Sequence, residues 1–266
     1  MDGLWLIIGL ALLPGLGNFA GGMVAEFVQT TPRLLNLALH AASGIVIGVV
    51  AIELMPEALD NLAGWWIALS FALGGAAYVG TEMLIGRLSS SSGGSSMWLI
   101  YAAVAVDLSG DGLMIGSGSA VATSLAIVLA AGQTLADFPE GYSVIANMRQ
   151  KEVARRRRIL VSLSFPLYCL GMALIAWFLL RDAPDAAKYV ALSFVAGLLT
   201  VAAVEDMLEE AHEAASDNRI STLAFVGGFA LFALVSAGLE TAFGEDTAEE
   251  SDETALSAQE EINHAA

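Results

Sequence analysis

The sequence predicts an all-α integral membrane protein of eight transmembrane helices in a 3+2+3 arrangement, with both termini extracytoplasmic. Three observations predict it. The 266 residues are 56% hydrophobic and 15% charged, with a mean hydropathy of +0.69; a soluble domain carries roughly 25% charge. Eight stretches reach the roughly 20 mostly apolar residues that a span needs, near 3–28, 34–55, 63–84, 97–118, 121–145, 159–180, 189–207 and 221–242. The basic residues also segregate. Arg33, Arg87, Arg149, Lys151, Arg155–Arg158 and Arg219 fall on the odd-numbered connections, and only Arg181 and Lys188 fall on the even ones. The positive-inside rule then puts the odd connections in the cytoplasm and both termini outside.

In chain order, the first span follows Met1-Asp2-Gly3, which lacks the positive flank of a cleavable signal, so it is expected to remain as a span. The second carries His40, read as a packing residue, and ends in Glu53-Leu54-Met55-Pro56-Glu57. Pro56 should kink or end that helix. Glu53 is deep enough to face a cavity, whereas Glu57 and Asp60 should be wet. After the third span, residues 87–97 read RLSSSSGGSSM, a flexible Ser/Gly linker before the central pair of spans. Residues 147–158, NMRQKEVARRRR, anchor the cytoplasmic face after that pair. The single cysteine, Cys169, lies in the apolar sixth span, which leaves no disulfide framework and no Cys-based metal site. The seventh span ends in AAVEDMLEEAHEAASD. Glu205 and Asp206 belong to its cytoplasmic part, and Glu209, Glu210, His212 and Glu213 read as a solvated helix end. Residues 1–243 form the spanning domain, and 244–266 an acidic tail expected to be disordered. The net charge of -17 argues against nucleic-acid binding.

The chemistry lies between 106 and 141, VDLSGDGLMIGSGSAVATSLAIVLAAGQTLADFPEG. Asp107 and Asp111 are four apart, and Asp137 and Glu140 three apart, so each pair shares a helix face. Neither apolar run carries Lys or Arg. An acid at the centre of a membrane helix costs roughly 2.5–3.5 kcal/mol on insertion scales. Protons, water or a bound cation could offset that charge. Acids that merely hydrogen-bond helix to helix, a proton relay and a cation site are the three readings. Gly110, Gly112 and Pro139 punctuate the pair; a broken or loosened helix would leave carbonyl oxygens beside the carboxylates, and small residues also permit close packing.

These features resemble the ZIP (ZRT/IRT-like) metal transporters over most of residues 1–243. Ala136-Asp137-Phe138-Pro139-Glu140-Gly141 matches the family's span-five motif at Asp137, Pro139, Glu140 and Gly141. Asp107-Leu108-Ser109-Gly110-Asp111-Gly112 stands at the span-four motif, with Asp107 at the His position and Asp111 at the Glu position. Glu53-Leu54-Met55-Pro56 and Val204-Glu205-Asp206-Met207-Leu208 look like the corresponding segments of spans two and seven. Both motif histidines are absent, Leu108 replaces an Asn that serves a second metal, and Phe165 stands where some members have an acid. The resemblance therefore implies one main metal site, with Asp107, Asp111 and Glu140 as ligands and Asp137 beside them. It further implies Glu53 on the way in and Glu205 and Asp206 on the way out.

The resemblance implies uptake of divalent cations of the zinc, iron or manganese class across the cytoplasmic membrane, often within a homodimer. Its partners are the ions and the lipid bilayer, with no prosthetic group. Carboxylate ligands alone favour Mn²⁺ and other hard ions, and zinc also binds carboxylates. Protons would compete for the same oxygens, which makes proton-coupled release an expectation. Enzyme chemistry is disfavoured, because an intramembrane metalloprotease needs a set such as His-Glu-x-x-His and the chain has only three dispersed histidines. A proton- or Na⁺-coupled carrier of a small solute and a transport-deficient metal-binding receptor are the alternatives.

Overall fold

Apolar stretches of this length satisfy their backbone only as helices, and the computed structural model is helical throughout. It describes residues 2–29, 31–91, 96–216 and 218–264, and the side chains of these except 2, 88–100 and 243–264. The helices are α1 (Asp2–Phe27), α2 (Pro32–Val49), α3 (Met55–Asn61), α4 (Gly64–Ser91), α5 (Ser96–Val121), α6 (Thr123–Gln150), α7 (Arg155–Leu180), α8 (Asp185–Ala202), α9 (Leu208–Ala214) and α10 (Arg219–His264). A π-helical turn, Val50–Leu54, joins α2 to α3, and a second, Ala203–Met207, joins α8 to α9.

Local chemistry sets several of these boundaries. The Thr31 hydroxyl accepts a hydrogen bond from the Leu34 amide at 3.2 Å, and Pro32 comes next at the first helical position, where a missing N–H costs nothing. Among the described residues, six helical stretches are long and apolar enough to cross a membrane: Gly3–Phe27, Pro32–Asn61, Gly64–Arg87, Arg155–Leu180, Asp185–Ala214 and Arg219–Ala242. The chain thus has the helices of a multi-pass membrane protein. At 26 and 28 residues, α5 and α6 are as long as the others. Each carries two buried acids, and other helices surround them.

The order of elements repeats. A 26-residue helix, an 18-residue helix, a five-residue π turn and a seven-residue helix occur as α1–α3 and again as α7–α9. The packing repeats with it: α1 lies on α6 as α7 lies on α5, and α2 lies on α10 as α8 lies on α4. Two outer groups thereby enclose the central pair. Glycines set the closeness. A Cβ at Gly141 would run into the Asn18 carbonyl oxygen, and one at Gly112 into that of Cys169, so helix backbones touch on both sides of the pair. At the end of α1, Arg158 forks onto the buried Glu26 carboxylate, with Nε and Nη2 at 2.5 and 2.8 Å.

One expectation needs correction. Helices α5 and α6 run unbroken through Gly110–Gly112 and Pro139, because neighbouring helices hold the surrounding turns. Near Pro56, α2 ends at Val49 and the chain passes through the π turn into α3, with the proline in the first turn of α3, where its missing N–H is tolerated. Helix α10 extends to His264. The centre of the Ser/Gly linker lies outside the described residues.

Candidate metal site

One turn apart on α5, Asp107 and Asp111 face Asp137 and Glu140 on α6. All four are buried, with Asp111 and Asp137 at 0% exposure. The carboxyls meet in two layers. Asp107 adjoins Glu140, and Asp111 adjoins Asp137. Two buried amides attend them. Asn18 of α1 donates from Nδ2 to Glu140 Oε2 at 3.3 Å, and Gln133 donates from Nε2 to Asp137 Oδ1 at 3.1 Å.

The donors do not suffice. Both oxygens of Asp111, Oδ2 of Asp107 and Oδ2 of Asp137 are buried with no hydrogen-bond partner, as are the carbonyl oxygens of Asn18 and Gln133. A buried polar atom left unpaired costs about 1–3 kcal/mol, and more when charged. Two ionised carboxylates only accept hydrogen bonds, so facing pairs such as Asp111 and Asp137 are held together by a shared proton or by a bound cation. A cation among them would satisfy several orphan oxygens together, and the all-oxygen donor set fits a divalent ion. Among the described residues no three His, Cys, Asp or Glu side chains are gathered tightly enough to enclose a metal as they stand. The arrangement is two facing carboxylate pairs rather than a closed ligand shell.

The lower pair opens onto a cavity of about 200 Å³, lined by Asp107, Glu140, Glu205, Asp206, Glu209, Glu210 and Glu213 among others. The second π turn shapes its wall. Such turns add a residue to the helical repeat and concentrate at functional sites. Asp206 accepts a hydrogen bond from Tyr78 Oη of α4, and Glu210 accepts one from Ser143 Oγ of α6. Glu209, Glu210 and Glu213, read from sequence as a solvated helix end, therefore face the same cavity as the central acids. Glu82 of α4 joins Asp206 from the other side and had no signal in the sequence beyond an acid in an apolar run. Glu205 and Asp206 are thus brought to the site, but Glu53 is not. Its carboxylate accepts from Ser236 Oγ of α10, and its charged neighbours are Glu57 and Glu240. His40 packs edge-on to His212, with ring centroids 5.8 Å apart.

No family model matches the chain. It is similar to the zinc transporter ZupT of Lysinibacillus sphaericus (strain C3-41), 32% identical over 88 residues, which is 30% of this chain and 33% of that protein. The chain thus spans about a third of the length of the relative it matches.

Proposed function

We propose that the protein is a ZIP-family transporter that takes divalent metal cations across the cytoplasmic membrane, using the carboxylates of α5 and α6. The observation that carries this reading is the set of buried carboxylate oxygens without donors at the head of an acidic cavity. The motif resemblance and the similarity to a zinc transporter support it. In this reading α5 and α6 are the fourth and fifth of eight spans, and the segregated basic residues orient both termini outward. The cavity then opens to the cytoplasm, since it lies toward Asn147 at the end of α6 that leads into the basic connection.

Each residue has a task. Asp111 and Asp137 receive the ion in the dry upper layer. Asp107 and Glu140 take it at the cavity, with Asn18 orienting Glu140. Glu205, Asp206, Glu209, Glu210 and Glu213 draw it out, a negative lining concentrating cations by its field. Oxygen donors favour Mn²⁺ over softer ions within the zinc, iron and manganese class. Protons entering the same carboxylates release the ion. The family's homodimer is proposed with the rest. An organic anion as cargo is disfavoured, because no described residue of the cavity lining is Lys or Arg.

Uptake of Mn²⁺, Zn²⁺ and Cd²⁺ into proteoliposomes tests the reading. Wild-type protein should take up at least one of these ions, and Glu140→Gln should abolish that uptake. Equal uptake by protein-free vesicles and wild type would remove the function.

A further inference from the structure

Gln133 has no place in the motif resemblance, yet it is fully buried on α6, one helical turn before Asp137. Its Nε2 donates to Asp137 Oδ1 at 3.1 Å, which seats the whole amide against the upper carboxylate pair. The other end of that amide, Oε1, is buried without a donor. Asn18 is the parallel case: it donates to Glu140 Oε2, and its Oδ1 is likewise buried without a donor.

The position on α6 matters as well. Gln133 lies on the side of Asp137 away from the acidic cavity, and the neighbouring Gly132 receives the ring of Phe232 from α10. Phe232 is fully buried. The amide therefore lies on the far side of the upper carboxylate pair from the cavity.

We propose that Gln133 Oε1 is a ligand for the transported cation, the first oxygen the ion meets from the closed side and a determinant of metal preference. The proposal rests on the transport reading above. Four carboxylates already exceed the charge of a divalent ion. An amide oxygen adds a ligand without adding further negative charge, and Gln carbonyls are ordinary ligands of hard cations. The Nε2 group meanwhile holds Asp137 in place, so the residue both binds and positions.

The test must separate a ligand from a mere donor to Asp137. Dissociation constants for Mn²⁺ and Cd²⁺ are measured by titration calorimetry on the purified full chain, for wild type, Gln133→Leu, Gln133→Glu and Gln133→Met. Melting without metal identifies variants that retain the fold. As a ligand, Gln133→Leu weakens Mn²⁺ binding by roughly tenfold or more. Gln133→Glu, which keeps an oxygen but loses the donor, binds Mn²⁺ at least as tightly as wild type. Gln133→Met moves the preference toward the softer Cd²⁺. Equal weakening by Leu and Glu with an unchanged Mn²⁺-to-Cd²⁺ ratio would overturn the proposal, because the amide would then act only through Asp137. Unchanged affinity in Gln133→Leu would overturn it too. A wild-type protein that binds neither ion would overturn the transport reading along with it.

Discussion

Replacing Asp111 by Asn should stabilise the metal-free protein while destroying its function. Asp111 is fully buried, faces the Asp137 carboxylate, and has no donor on either oxygen. The Asn side chain has nearly the same shape, removes one of the facing carboxyls, and presents an NH₂ group to Asp137 Oδ2, which also lacks a partner. A hydrogen bond to a charged group contributes about 1.5–3 kcal/mol. At about 2–4 °C per kcal/mol for a chain of this size, the melting temperature should rise by roughly 3–12 °C. The assay is tryptophan-fluorescence melting in detergent at pH 8, with and without Mn²⁺. Wild type should gain about 2.7 kcal/mol when Mn²⁺ is present at 100 times its dissociation constant, and the variant should gain nothing. A variant that melts below metal-free wild type, or that retains the Mn²⁺ shift, would refute the claim that Asp111 is held in an unfavourable state for the sake of a cation.

Asp107→His should move the ion preference toward Zn²⁺, since imidazole suits Zn²⁺ better than Mn²⁺; competition binding of the two ions measures it, and an unchanged profile counts against Asp107 as a ligand. Gly141→Ala should unfold the α1–α6 contact, because its Cβ has no room beside the Asn18 carbonyl, whereas Gly227→Ala and Gly80→Ala meet nothing within 4 Å and should melt like wild type. Thermal melting of the three compares them directly.

The parts of this protein legible in the sequence are those that need only helical periodicity. The i, i+4 spacing of Asp107 and Asp111 and the i, i+3 spacing of Asp137 and Glu140 put each pair on one face, and α5 and α6 do present them to each other. The residues that were missed depend on other elements. Gln133 and Asn18 are single amides in apolar runs and make no pattern until α1 and α6 come together. Glu209, Glu210 and Glu213 follow the π turn at Ala203–Met207 and line the cavity, with Glu209 and Glu213 exposed as a solvated helix end requires. The repeat of α1–α3 in α7–α9 is hidden because few residues coincide beyond acids such as Glu53 and Asp206 within the two π turns. Glu53, expected on the way in, is buried and accepts a hydrogen bond from Ser236 of α10, a partner that span two alone could not announce.

The central claim concerns where an ion rests, and anomalous diffraction from crystals grown with Mn²⁺ or soaked in Cd²⁺ addresses it most directly. The account predicts a peak between α5 and α6, within ligand distance of Asp111, Asp137 and at least one of Asp107 and Glu140. A map whose only strong peaks sit on surface acids, with the four buried carboxyls bonded solely to protein or water, would contradict it.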